Sequence, residues 1–358
     1  PLHLATFFQA HFASRFADDA VDVQTGLYGD LEGTFDLAAE SKSEAAATII
    51  EWSDLDSRLG LRSSGGWGPS VQDDIVATCR EGWSRIFTKL ESLASKMPIA
   101  LALPTLPRPF FGHTTSWQMS LAEAELERQV AEFSIRSARL DSVRIAHPAR
   151  LGQLGLPLSR LDAKMALAAG FPYSIGHASA LALQLTHLLF PDSPLKGIIT
   201  DLDETLWRGI LGDVGASAVT WSLADHSQIH GLYQQELQKL AEMGVLLAIA
   251  SKNEATAVED ALRRSDLYVR GNTFFPVYAN WKPKSNSVAA ILETWNIGPE
   301  SVVFVDDSPM ELEEVRTAFP TMKCLLFPTS QLSQALHFLM HLRDLFGKPV
   351  LTEEDQLR

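Results

Sequence analysis

The chain has 358 residues, 46% hydrophobic and 21% charged, with 30 Lys+Arg against 44 Asp+Glu and a formal net charge of −14. That length exceeds one small core and predicts about two domains, while the acidic balance argues against a nucleic-acid backbone or an anionic membrane as partner. Two cysteines, Cys79 and Cys324, cannot build a disulfide framework or a Cys-based zinc cage and point to a reducing, cytoplasmic setting; no apolar run reaches the roughly 18 residues that span a bilayer, and Pro1-Leu2-His3 does not open a signal peptide.

Short apolar runs alternate with amphipathic stretches, the pattern of an α/β fold with parallel sheets. In the first half the strand candidates are Ala46–Glu51, Ile99–Leu103 and Val143–Ala146, with helices predicted over Val71–Leu93, Ser120–Ala138 and Ile175–Phe190. The Gly/Ser-rich Arg62–Pro69 and the Pro-rich Leu103–Phe111 read as loops. Pro191-Asp192-Ser193-Pro194 is the best domain boundary. In the second half three buried-strand candidates each end in a polar residue: Gly197–Thr200 before Asp201, Val245–Ala250 before Ser251, and Ser301–Val305 before Asp306. Ser227–Met243 carries Ile229, Leu232, Tyr233, Leu237 and Leu240 on one helical face. Ser308-Pro309-Met310-Glu311 reads as a capping box, and Ser330–Phe346 as a C-terminal helical stretch.

In an open parallel sheet, ligands bind beyond the carboxyl ends of the strands. Asp201-Leu202-Asp203-Glu204-Thr205, Ser251-Lys252-Asn253 and Asp306-Asp307 should therefore converge, with Lys282-Pro283-Lys284 in the loop before the third strand. Two acidic clusters, a hydroxyl and a lysine are what phosphoryl transfer through a carboxylate requires. Asp carboxylates with a backbone carbonyl make an oxygen-only site that suits Mg²⁺.

These four ordered patches, over roughly Lys196–Pro328, resemble the motifs of the haloacid dehalogenase-like (HAD) superfamily. The resemblance implies a HAD-like Rossmannoid parallel sheet in which Asp201 is the nucleophile and Asp203 the general acid/base, its carbonyl offered to the metal. It further implies that Thr205 supports the turn, Ser251 and Asn253 meet the phosphate, and Lys284, with Lys282 second, balances charge. Asp306 and Asp307 complete the Mg²⁺ ligands. Asp201–Gly215, Asn280–Ser285 and Val305–Pro309 look like the FkbH-like subgroup, which also implies a degenerate SGNH-hydrolase-like α/β domain in the first half. The implied division is 1–191, non-catalytic, 195–347, catalytic, and a tail over 348–358. The implied activity is dephosphorylation of 1,3-bisphosphoglycerate and delivery of a glyceryl unit to an acyl carrier protein. The implied partners are that carrier and a small phosphorylated three-carbon substrate.

One position departs from the subgroup. Glyceryl-transferring members place a Cys before the second-motif Ser, where this chain has Ala250. Alanine carries no nucleophile, so three readings stand: attack by the carrier's own thiol, a Mg²⁺-dependent phosphatase without acyl transfer, or a non-catalytic carrier-docking domain. Cys324 in the apolar run Met322–Phe327 reads as a small strand residue, and Cys79 as structural. The first half has no Gly-Asp-Ser near its start, and His177, at a helix start, reads as a capping or packing residue. Trp207 is expected to pack over the site or anchor a flap. His226 and His230 open a helix without an assignable partner, and His337 and His341 read as amphipathic surface. Only about 20 residues, Trp207–His226, separate motif one from the next helix, enough for a hairpin and not a cap domain.

Overall fold

The structure, a computed structural model, describes residues 2–16, 21–27, 29–64, 68–108, 113–154, 157–329 and 332–348. Parts of the Gly/Ser-rich loop (65–67), of the Pro-rich loop (109–111) and of the tail (349–358, with its acidic run) lie outside them. The chain divides into two compact units, Pro1–Asp192 and Ser193–Arg358.

The first unit runs α1 (Leu2–Arg15), α2 (Leu31–Glu40), β1 (Ala46–Ile49), α3 (Trp52–Leu55), α4 (Gln72–Ala94), β2 (Ile99–Ala102), α5 (Leu121–Ser137), β3 (Val143–Ile145), α6 (Pro148–Leu154), α7 (Ala163–Ala169) and α8 (Ile175–Leu189). Its three strands pair in parallel in the order β1-β2-β3. The central strand β2 is buried at every position, because a parallel strand between helical layers has no wet face. Successive side chains therefore separate. Ile99 and Leu101 join a cluster with Cys79, Trp83, Ile86 and Leu90 of α4 and Leu126 and Phe133 of α5. Ala100 and Ala102 join Leu4, Phe8 and Phe12 of α1 and Ala178, Leu181 and Leu185 of α8. Cys79 is fully buried in that core, as expected of a structural residue.

The second unit runs β4 (Gly197–Thr200), α9 (Leu211–Val214), α10 (Gln228–Glu242), β5 (Leu246–Ser251), α11 (Ala255–Leu262), β6 (Phe274–Ala279), α12 (Lys284–Trp295), β7 (Val302–Asp306), α13 (Pro309–Ala318), β8 (Lys323–Leu326) and α14 (Leu332–Phe346). Five parallel strands lie in the order β6-β5-β4-β7-β8, so β4 sits at the centre with its carboxyl end between those of β5 and β7. Ile198, Leu247, Ile249, Val303 and Val305 pack with α10 and α14 on one face. Ile199, Ala248, Ala250, Val302 and Phe304 pack with α12 and α13 on the other. Between motif one and α10, a short segment that holds α9 closes on itself through one antiparallel bridge between Arg208 and Thr220 (N···O 2.8 and 3.1 Å). No helix among the described residues is long and apolar enough to cross a membrane.

Beyond the ends of β1 and β2 in the first unit lies a buried polar network. Glu51 Oε1 accepts the Thr105 hydroxyl at 2.5 Å and Tyr173 OH at 3.2 Å, and Oε2 accepts the Thr105 and Leu106 amides at 3.0 and 3.2 Å. Thr105 Oγ1 has one proton, and Glu51 takes it, so His177, 2.8 Å away, donates to it through Nε2. His177 thus serves packing and hydrogen bonding, as expected. Burial, only partly offset by these donors, raises Glu51 to about 7, while burial, helped by the Arg160 charge, lowers His177 to about 4.

The two shifts oppose each other. Glu51 binds a proton more readily when folded, so its contribution is full below its ordinary 4.5 and is lost as pH rises to about 7. His177 contributes above its ordinary 6.5 and loses that contribution as pH falls to about 4. Glu51→Gln leaves His177 uncompensated. Hydrogen exchange at the β2 amides of the full chain should then show stability rising from pH 4 to 6.5 more steeply than in the parent, and a variant with the parent's slope would disprove the opposition.

Candidate active site

Register assembles the site. Thr200 is level with Ile249 of β5 and Val305 of β7, and the Asp201 amide donates to Val305 O at 2.9 Å. Asp201, Ser251 and Asp306 therefore emerge side by side at the carboxyl edge, where the strand pattern placed them. All three are buried. Burial raises the Asp201 carboxyl above its ordinary value, opposed by the Lys284 charge and by the nearby Leu202 amide and Ser251 hydroxyl.

Lys284 opens α12 and is itself buried. Its ammonium lies 2.8 Å from Asp201 Oδ1 and 2.5 Å from Asp306 Oδ2, and it also contacts Glu311 Oε2. Burial alone would lower Lys284, yet the charges of Asp201, Asp306 and Glu311 outweigh it and hold the ammonium above its ordinary value. Lys282, the second candidate, is exposed, with its amide bonded to Asn280 Oδ1 at 3.0 Å.

Glu311 is the residue that the sequence pattern disguised. The Ser308 hydroxyl does cap α13 by accepting the Glu311 amide at 3.4 Å. The reciprocal arm of the expected box is absent: the Ser308 amide donates to Asp306 Oδ1 at 2.8 Å, and the Glu311 carboxylate turns to Lys284 and to Lys252 (2.9 Å). Two buried or half-buried ammonium groups attract it more strongly than one backbone amide. Their charge, against the cost of burial, holds Glu311 below its ordinary value.

The motif-one turn is built on the Leu202 carbonyl, which accepts from Thr205, Leu206 and Trp207 amides at 3.2, 2.7 and 3.2 Å. Glu204 takes a left-handed conformation, φ 52°, and its carboxylate accepts the Gly209 amide at 2.8 Å. From α10, His230 Nδ1 bonds Thr205 O (2.9 Å), Gln234 Nε2 donates to Leu206 O (2.9 Å) and Tyr233 OH donates to Thr200 Oγ1 (3.1 Å). The spacing i, i+3, i+4 puts these three on one face, so His230, left unpaired by the sequence reading, has its partner in the motif itself. Asp203 accepts Trp207 Nε1 at 3.0 Å, the Leu211 amide at 3.1 Å and Asn253 Nδ2 at 3.0 Å; Asn253 also donates to Ser251 Oγ at 3.1 Å. Thr205 is fully buried.

The donor set fits a divalent cation. One oxygen from each of Asp201, Asp306 and Asp307 lies within 4.8 Å of the others. Asp201, Asp306, Asp307 and Glu311 face Lys284 and Lys252, four carboxylates against two ammonium groups, and leave two negative charges in excess when all are ionised. Burial first and the Asp201 charge second raise Asp306 to about 7 and Asp307 to about 6. Asp201 itself is raised by burial against the pull of Lys284. A small hard cation on these oxygens would relieve that repulsion. Among the described residues no other such group of three is found, and His337 and His341 belong to none. A cavity of about 380 Å³ lies apart from the carboxylates, between α11 and the end of β6, lined by Glu259, Arg263, Tyr278 and Asn280.

Ala250 is fully buried among Ile199, Ala248 and Val288, and Cys324 is level with Phe304 in β8 with burial holding its thiol above its ordinary value.

No protein-family model matches the chain, and no curated protein matches it in sequence. Among solved structures it is similar to the N-terminal part of the protein BF1531 from Bacteroides fragilis, which contains a phosphatase domain and is complexed with Mg. That likeness has 18% identity, covers 97% of this chain and 91% of that one, and has a TM-score of 0.72. An uncharacterised protein from Corynebacterium glutamicum (17% identity, 43% of this chain, 98% of that chain, TM-score 0.30) also aligns. So does a HAD family enzyme from Bacteroides thetaiotaomicron in a magnesium complex (12% identity, 40% of this chain, 99% of that chain, TM-score 0.29). The fold, α/β with parallel sheets, is the one shared with the Bacteroides fragilis protein.

Lys284 is the common counter-ion of three carboxylates, so Lys284→Ala should lower the stability of the second unit by about 3–5 kcal/mol, the cost of leaving buried charges unpaired. Glu311→Gln leaves Lys284 two partners and should cost far less. Urea unfolding of both variants checks the order; equal losses would refute it.

Proposed function

We propose that the chain is a Mg²⁺-dependent phosphatase of the HAD type acting through Asp201. The observation that carries this reading is the buried cluster in which Asp201, held by Lys284, adjoins Asp306 and Asp307 at neighbouring strand ends. Asp201 attacks phosphorus and forms an acyl phosphate while the departing oxygen takes the proton of Asp203. Water then attacks that phosphorus, returns a proton to Asp203 and frees Asp201 with inorganic phosphate. Ser251, Asn253 and the Lys284 ammonium lie where they can meet the phosphoryl oxygens, with Lys282 outside the cluster. Magnesium held by Asp201, Asp306, Asp307 and the Asp203 carbonyl would neutralise the repulsion between carboxylate and phosphate. The Mg complex of the Bacteroides fragilis protein, which shares the fold, supports the choice of cation.

The finer reading rests on the FkbH-like motifs: the substrate is 1,3-bisphosphoglycerate, and a glyceryl unit passes to an acyl carrier protein in the cytoplasm. Because position 250 is alanine, the carrier's own thiolate must attack the acyl carbon and displace its phosphate, leaving Asp201 to remove the other phosphoryl group. The short segment over the motif-one turn, which leaves room for a bulky partner, favours this reading. The first unit is read as an SGNH-like domain without hydrolase activity.

Asp201→Asn should reduce Mg²⁺-dependent phosphate release by about 10³-fold or more while leaving the fold intact, and chelation with EDTA should abolish release until Mg²⁺ is restored. Full release by the variant would overturn the assignment. Incubation with 1,3-bisphosphoglycerate and holo carrier protein, followed by mass spectrometry of the carrier, separates the finer readings. A glyceryl increment supports transfer, release without it supports a simple phosphatase, and carrier binding with neither supports a docking domain.

A further inference from the structure

Asp203 offers two carboxylate oxygens, and its surroundings treat them unequally. Oδ1 accepts two N–H groups, the Trp207 indole at 3.0 Å and the Leu211 amide at 3.1 Å. Oδ2 accepts one, from Asn253 at 3.0 Å. Two donors fill the in-plane lone pairs of a carboxylate oxygen, so Oδ1 has no place for a proton, and Oδ2 keeps one. Asn253 binds Ser251 Oγ with its second amide hydrogen, which sets Oδ2 on the side of the second-motif hydroxyl.

Trp207 is unusual for a residue of a connecting turn. It is fully buried, among the largest such side chains in the chain, and lies in one cluster with Leu202, Leu206, Leu211 and Val219. A buried indole N–H needs an acceptor, and here that acceptor is a carboxylate. The packing that immobilises the ring therefore also immobilises Asp203.

Resting on the phosphatase reading, we infer that Trp207 is a positioning residue which, with the Leu211 amide, occupies Asp203 Oδ1 and so assigns the transferable proton to Oδ2. In the first step the O–H bond at Oδ2 breaks as the leaving oxygen takes the proton and the P–O bond opens. In the second, Oδ2 takes a proton from the attacking water. Loss of the indole N–H frees Oδ1 to rotate into competition, and proton delivery suffers wherever the leaving group needs it.

The test compares two leaving groups. p-Nitrophenolate departs without a proton, whereas the alkoxide of glycerol 2-phosphate must be protonated. In single-turnover measurements of the first step, Trp207→Phe should slow release of glycerol from glycerol 2-phosphate by about 10- to 100-fold, a fraction of the range of general acid catalysis, and release of p-nitrophenolate from p-nitrophenyl phosphate by less than about 3-fold. Equal losses on both substrates, or none on either, would overturn the inference. A merely structural ring predicts equal losses. Should Trp207→Phe fail to fold, benzothienylalanine at position 207 removes the N–H and keeps the shape, with the same outcomes expected. A second readout needs no turnover: the Trp207 indole ¹H resonance should move upfield in Asp203→Asn, and an unmoved resonance would refute the contact. Phosphate release that survives Asp201→Asn would instead strike at the phosphatase reading, leaving the resonance test to decide the contact alone.

Discussion

A single buried ammonium holds the second unit's chemistry together. Lys284 meets Asp201 from the end of β4, Asp306 from the end of β7 and Glu311 from α13. Those carboxylates would otherwise repel one another in a medium where like charges interact strongly. One cation shared among three anions also restricts where α12 and α13 can begin, because Lys284 is the first residue of α12 and Glu311 lies in the first turn of α13. The arrangement still leaves negative charge in excess. That excess, unfavourable to the bare protein, is what a small divalent ion on the oxygens of Asp201, Asp306 and Asp307 would relieve.

Rigidity around motif one has a different source. The turn is fixed from behind by α10, whose His230 and Gln234 bind the Thr205 and Leu206 carbonyls. In front, Glu204, Gly209 and Leu211 tie the following segment to the same turn. Glu204 stands in a left-handed conformation that an ordinary residue adopts at a cost of about 1–3 kcal/mol, offset here by the hydrogen bonds that close around it. The result is that Asp203 is held by backbone and buried side chains, with no reliance on mobile surface groups. Under the proposed mechanism, such fixing keeps the proton donor in place for reaction.

The first unit meets the same physical problem with a network of neutral donors beside the buried Arg160, whose guanidinium donates to Thr105 O. Glu51, Thr105, Tyr173 and His177 are all buried, and each finds a partner among the others. Burial disfavours charge on both the acid and the imidazole, so the network approaches neutrality by shifting protons. The second unit instead keeps its carboxylates close to Lys284.

What the sequence by itself determined is the framework of strands. Parallel strands covered on both faces are largely apolar, so Gly197–Thr200, Val245–Ala250 and Ser301–Val305 announced themselves as short runs, and the polar residue after each marked the edge where a site forms. The two strands flanking them, β6 and β8, are half-exposed edges; the apolar run Met322–Phe327 pointed to β8, whereas nothing singled out β6. Local spacing is obeyed by Ser120 with Glu123, which form a full capping box. It misled for Ser308 with Glu311, because the competing partners, Lys252 and Lys284, are distant in sequence. Glu51 and Thr105 are 54 residues apart, and Thr105 and His177 are 72 apart. No spacing rule reaches that far. Pairing of charges and donors across such distances depends on which strand ends the sheet order brings side by side, and that order is decided only when the whole core packs.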